Sequence, residues 1–333
     1  MTMTAIGDLA RTFVLRNHNT ELKGRFDRLT DELSSGRIAD LGAKVRGDWS
    51  VVAGMETSLK RLESFDMAVS EAASYTAGMQ SALGAVASLS EDLGASLLVA
   101  GSGGSDLPAE NVGRDALASF EGAVRALNVQ AAGRSLFAGA APDSPALSEP
   151  GDMLNDIRAA VGGATTAGAI TTAVEAWFAP GGGFDAAYLG SATSAGPFAV
   201  GQGTTVGIDV TAEDGRLRDV LAGHAMATFL ADGTLSDADE KVALAAYAGA
   251  HLLSADAELS KLRAEVGGAE AQIERAGTRN AAERTSLEIA RTELVSADPF
   301  ERASELEAVR TKLEMLYSLT VRSANLSLME YMR

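Results

Sequence analysis

Cysteine is absent from the 333 residues, which excludes a disulfide framework, thiolate chemistry and Cys-ligated metal. Aromatics make up only 5 % of the chain and prolines number 7. Beside 35 glycines and abundant alanine, that scarcity argues against aromatic-rich cores. It favours helices that approach closely through small side chains. Basic residues are outnumbered, 28 against 45, for a formal charge of −17. Phosphate binding needs positive patches, so no nucleic-acid partner is expected. No unbroken apolar run of about 18 residues occurs, so no membrane span is expected. The first twenty residues carry Asp8, Arg11 and Arg16 around no continuous apolar core, and do not read as a cleaved secretion signal.

Catalytic and cofactor signatures are equally scarce. His18, His224 and His251 stand in neither HxxxH nor HExxH spacing, so no metal site is expected. Gly201-Gln202-Gly203-Thr204-Thr205 lacks the GK[ST] ending of a phosphate loop and reads as a hairpin turn. Gly101 to Gly104 lacks a dinucleotide fingerprint, and no GxSxG elbow occurs. Asp237 and Asp239 read as a helix start. No catalytic residue, cofactor or metal is assigned, and an enzyme has no site to support it.

What the chain does contain is helix periodicity. Leu15, Leu22, Phe26, Leu29 and Leu33 follow a heptad stripe, after a shorter one at Ile6, Leu9 and Phe13. Ser34-Ser35-Gly36 is a stop signal. After a loop over 38–48, Met55, Leu59, Leu62, Val69, Met79, Leu83, Val86, Leu93 and Leu97 predict helix over 50–99, roughly 75 Å if unbroken. Past the Gly101 turn, Leu117, Phe120, Val124, Leu127 and Ala131 predict a second helix, antiparallel to the first. From residue 252 apolar residues recur every seven: Leu252, Leu259, Val266, Ile273, Leu287 and Leu294, with Asn280 in phase. Asn280 reads as either a register pin or a rim residue. Asp298, Pro299 and Glu301 form the cap, first position and third position of a new helix. Leu306, Val309, Leu313, Leu316, Leu319, Leu326 and Met329 give that helix its stripe.

Between the helical parts, 141–240 differs in composition and charge. It holds 3 basic and 14 acidic residues, whereas 1–40 holds six of each and 299–333 five of each. Short helices are expected over 152–161, 166–178 and 216–231, and a strand or hairpin over 198–211. Trp177, Phe178, Phe184 and Tyr188 there read either as a small core or as a sugar-stacking surface. Balanced charge at the two ends suits surfaces that pack against copies of themselves.

Three segments resemble the bacterial flagellin and flagellar hook-associated family. Leu33-Ser34-Ser35-Gly36-Arg37-Ile38 is similar to its Leu-Ser-(Ser/Thr)-Gly-x-x-Ile segment. Leu127-Asn128 through Gly133-Arg134-Ser135-Leu136-Phe137-Ala138-Gly139 is similar to its Leu-Asn-x-x-x-x-Gly-x-Tyr-Leu-Phe-(Ser/Ala)-Gly motif. Ser323 to Tyr331 is similar to its Leu-Ser-Leu-x-x-(Tyr/Phe) ending. The chain departs from the pattern at Ser135, where the family has an aromatic, and after Ile38, where it lacks an Asp-Asp run.

The resemblance implies a mainly α fold, a long antiparallel helical rod with paired N- and C-terminal coiled-coil helices and a small inserted α/β or α+β domain. The implied domains are 1–44 with 295–333 for assembly, 45–140 with 241–294 for the rod, and 141–240 as an acidic solvent-facing insertion. It implies a structural subunit of the extracellular bacterial flagellum, exported unfolded, whose terminal helices pair on self-assembly. The closer likeness is to the hook-associated protein joining hook to filament; a filament flagellin is the alternative, and an adhesin on the same scaffold a third. The expected assembly interface is Leu15, Leu22, Phe26, Leu29, Leu33, Leu306, Val309, Leu313, Leu316, Leu319, Leu326 and Met329, with Asp298 and Glu301 as cap. Implied partners are the adjacent hook-associated protein, flagellin and an export chaperone on the C-terminal helix.

Overall fold

Proline placement and apolar phase set the lengths of the helices. A computed structural model describes residues 3–103 and 107–331, except the side chains of 3–9, 11, 107, 108 and 323–331. The protein is mainly α, 73 % helical. Helix α1, Met3–Ser35, ends where Gly36 takes a left-handed φ of +66°, a conformation costly for a residue with Cβ. The segment expected as loop contains one short turn of helix, α2, Leu41–Lys44, because Asp40 Oδ1 accepts the Ala43 N–H at 2.9 Å. Helix α3, Ser50–Gly101, is unbroken over 52 residues. Part of it is long and apolar enough to cross a membrane by length and composition alone, which the search for an unbroken run missed. Its Leu83, Val86 and Leu97 are fully buried within the protein.

Helix α4, Leu107–Leu127, stops four residues short of the expected Ala131, and Leu117 of its stripe is 40 % exposed. Ala131 instead lies in a two-residue strand β1, Gln130–Ala131, paired antiparallel with β2, Arg134–Ser135. Then follow α5, Pro150–Val161, α6, Ala167–Phe178, and α7, Phe184–Ala187. The expected hairpin is shorter than 198–211: β3, Phe198–Gly201, pairs with β4, Thr204–Val206. Ile208 and Val210 are buried without strand pairing to draw them into the ladder. Helix α8, Gly215–Thr228, precedes α9, Ala238–Val295, at 58 residues the longest. Asp237 Oδ1 accepts the Asp239 N–H at 2.8 Å and starts α9. Helix α10, Pro299–Tyr331, begins after Asp298, whose Oδ1 accepts the amides of Phe300 and Glu301 at 2.9 and 3.2 Å.

The chain divides into two compact units, 1–61 with 282–333, and 62–281. The boundaries fall inside α3 and α9 rather than at 44/45 and 294/295, and 141–240 belongs to the second unit.

In the second unit, α3 and α9 run antiparallel. Gln80 Nε2 donates to the Arg263 carbonyl at 2.7 Å, and Leu98 packs beside Gly249. The chain doubles back at the end of α3, bringing Ser119 and Gly122 of α4 against Leu89. Leu252, Leu259, Leu262, Val266 and Ile273 are all at most 1 % exposed, as their heptad phase requires. Asn280 is 6 % exposed, and its Nδ2 donates to the Val200 carbonyl of β3 at 2.8 Å. It is an anchor for the hairpin, so neither of the two expected roles describes it.

Trp177, Phe178 and Phe184 are buried and in ring contact, with centroids 4.7 to 6.1 Å apart. The Arg218 guanidinium lies 4.7 Å over the Phe184 ring. These rings are core, which removes the sugar-stacking reading; Tyr188, the fourth, is half-buried and donates to the Ser191 carbonyl.

Candidate assembly interface

The first unit is built very differently. Two of its helices, α1 and α10, pack on each other. Two amphipathic helices alone can bury only the facing parts of their stripes. Among the described residues of this unit, Leu29, Val309 and Ala297 are the buried apolar ones, at 4, 3 and 7 %. Leu15, Leu22, Phe26, Leu306, Leu313 and Leu316 are half-buried. Leu319 is 54 % exposed, and its neighbours Met315, Tyr317 and Val321 are 59, 44 and 59 % exposed. Phe13 and Val14 on α1 are 66 and 51 % exposed. The side chains of Leu326 and Met329, and of Ile6 and Leu9, lie outside the described residues.

Leu33 lies partly outward in the single chain. It is 38 % exposed, and Glu32 takes the inward position at 8 %. A true helix advances 3.6 residues per turn, so a heptad drifts; here the drift carries Glu32 under the turn that follows α1. The Glu32 carboxylate accepts the Ala39 N–H at 2.9 Å and lies 3.7 Å from Arg302 Nη1. Arg302 in turn meets Glu305 and Glu301, each at 3.1 Å. The Glu301 side chain is thus engaged by Arg302, while Asp298 alone does the capping described above.

At the same level the backbone itself is paired. Ile38 N–H donates to the Val295 carbonyl at 2.9 Å, and Ala297 N–H donates to the Gly36 carbonyl at 3.0 Å. Lys44 Nζ donates to the carbonyls of Glu293, in the last turn of α9, and Ser296, just past its end, at 3.3 and 3.2 Å. Sequence reasoning assigned no role to Glu32, Lys44 or Arg302. The signal was present: Arg302 stands four residues before Leu306, in phase with that stripe, and Glu32 stands three after Leu29.

Charge separates along the same division. The first unit carries 17 basic and 17 acidic side chains, a net charge of zero. The second carries 11 and 28, the whole −17 of the chain. One unit is therefore neutral, with few of its apolar side chains fully covered; the other is acidic and has an extensive buried apolar core.

The segment 127–139 is held in the second unit. Leu136, Phe137 and Ala138 are fully buried, and Tyr75 Oη donates to the Leu136 carbonyl at 2.7 Å. Gly139 has φ +60°, and a Cβ there would lie 2.5 Å from the carbonyl oxygens of Ser191 and Thr193, so only glycine fits. Deeper still, His224 on α8 is wholly buried between α3 and α4. Its Nε2 lies 2.9 Å from Ser90 Oγ and its Nδ1 3.1 Å from Ser119 Oγ. Ser90 spends its proton on the Val86 carbonyl at 2.9 Å, so Nε2 carries the imidazole hydrogen and Nδ1 accepts from Ser119. Burial pushes the His224 pKa down to about 4.

This arrangement defines a helical protein with one well-packed unit and a second one left incomplete. The fold is shared with a candidate flagellar hook-associated protein from Vibrio parahaemolyticus, at a TM-score of 0.51 and 13 % identity. The alignment covers 72 % of this chain and 93 % of that one. No family model and no curated protein matches the sequence.

Proposed function

We propose that the protein is a structural subunit of the bacterial flagellum, a hook-associated protein that joins hook to filament. The observation that carries the reading is the first unit: neutral, with apolar residues such as Phe13, Leu319 and Val321 uncovered on α1 and α10. Neighbouring subunits supply the missing burial, at about 25 cal/mol for each Å² of apolar surface covered. Zero net charge removes the repulsion that would oppose close packing of copies. The acidic unit faces solvent, where like charge favours solubility. The hook-associated role, rather than that of filament flagellin, is supported by Leu136-Phe137-Ala138-Gly139, by the terminal Ser327-Leu328-Met329-Glu330-Tyr331, and by the hook-associated assignment of the Vibrio protein.

In this reading the chain leaves the cell unfolded through the export apparatus, with a chaperone on the C-terminal helix, and no disulfide can trap it. Subunit contacts are heterologous and build a ring or helix. The test is electron microscopy of a deletion strain with a blot of its medium. Bare hooks and filament protein in the medium are expected. Filaments that are merely altered would make it a flagellin, and normal filaments with normal swimming would end the flagellar reading.

A further inference from the structure

We infer that the segments 36–44 and 293–302 form a polar clasp that closes before α1 and α10 pair, with Lys44 as its positioning residue. The clasp differs from the rest of the unit in what holds it. Its bonds are backbone to backbone, Ile38 to Val295 and Ala297 to Gly36, and cation to carbonyl, Lys44 to Glu293 and Ser296. None of these needs apolar surface from another molecule. The helix pair beyond it does, since its stripe is only half covered.

Burial follows the same order. Among the described residues of the pair, Leu29, Glu32 and Val309 are the buried side chains, and they stand within two turns of the clasp. Phe26, Leu22 and Leu15, successively farther along α1, are half-buried, and Phe13 is open. The Glu32–Arg302 ion pair joins α1 to α10 at the clasp itself. Closing the clasp first removes the entropy of bringing together two segments about 250 residues apart in sequence. Pairing of α1 with α10 then propagates from a fixed end, and Glu32 and Arg302 set its register. The assembly step is therefore a zippering outward from the clasp, and this order rests on the assembly reading above.

The experiment is amide exchange on the full chain as a dilute monomer, for wild type, Lys44→Met and Glu32→Gln. The amides of Ile38 and Ala297 are expected to exchange slowly while those of 12–20 exchange freely. In Lys44→Met both slow amides are expected to speed up together by about tenfold, from loss of the one charged donor that serves two carbonyls. Residues 252–276 report that the second unit remains folded. Free exchange at Ile38 and Ala297 in wild type would overturn the clasp. Unchanged protection in Lys44→Met would overturn its positioning role. Assembly seeded by preformed wild-type polymer separates the two readings. The clasp predicts slower growth by Lys44→Met and Glu32→Gln, and growth at the wild-type rate with lost protection would overturn the zippering order. Failure of wild type itself to polymerise on any seed would instead count against the assembly reading, with the exchange result standing.

Discussion

Asn128 and Leu147 exchange two hydrogen bonds. The Asn128 Oδ1 accepts the Leu147 N–H at 2.7 Å, and its Nδ2 donates to the Leu147 carbonyl at 2.9 Å. Just past the end of α4, the Asn128 side chain imitates a strand partner for the buried Leu147. Asn128→Asp keeps the acceptor and removes the donor. The Leu147 carbonyl is then left facing a carboxylate, and the second unit is expected to lose about 1–3 kcal/mol. A urea melt should show a lower midpoint with unchanged slope. An unchanged midpoint would mean that the pair contributes nothing.

Ser135 leads to the opposite expectation. It is 1 % exposed, and its Oγ finds no partner among the described residues. A buried, unpaired hydroxyl costs free energy, so Ser135→Ala is expected to be neutral or stabilising by about 1 kcal/mol. A clear drop in thermal stability on that change would show that the hydroxyl is satisfied after all.

His224 gives the second unit a pH dependence of definite sign. Its folded pKa of about 4 lies below the ordinary value of 6.5, so the unfolded chain binds the proton more readily. The contribution of the neutral ring is complete above pH 6.5 and is lost as pH falls toward 4. The full effect is about 3 kcal/mol. Carboxylates add their own slope at acid pH, so the measurement is a comparison. His224→Gln should flatten the fall in urea midpoint between pH 6.5 and 4.5 relative to wild type. Parallel curves for the two proteins would refute the assignment.

The helix pair offers a test of where assembly happens. Leu316 is half-buried on α10, so Leu316→Asp removes little from an isolated molecule and places charge on a surface that copies must cover. Circular dichroism of the monomer should change little, while polymerisation is abolished. Loss of most of the monomer signal would place Leu316 in a core that the single chain already completes.

Periodicity and capping residues determined the long helices. The spacing of Leu252, Leu259, Val266 and Ile273, the missing prolines around them and the Asp298-Pro299 restart are local facts, and helix formation is a local event. The same logic read the turn at Gly36 and the hairpin turn at Gly203. What spacing could not give is which side of a stripe is covered, because that depends on elements distant in the chain. Leu33 and Leu319 are in phase and lie outside; Glu32 is charged and lies inside. Trp177 and Phe184 had the composition of a sugar platform until the fold buried them beneath Arg218. Asn280 acquired its partner only when the hairpin at Val200 arrived 80 residues away in sequence. The clasp was the least visible feature of all. Its bonds join backbone groups, which every residue carries alike, and only tertiary structure decides which of them meet.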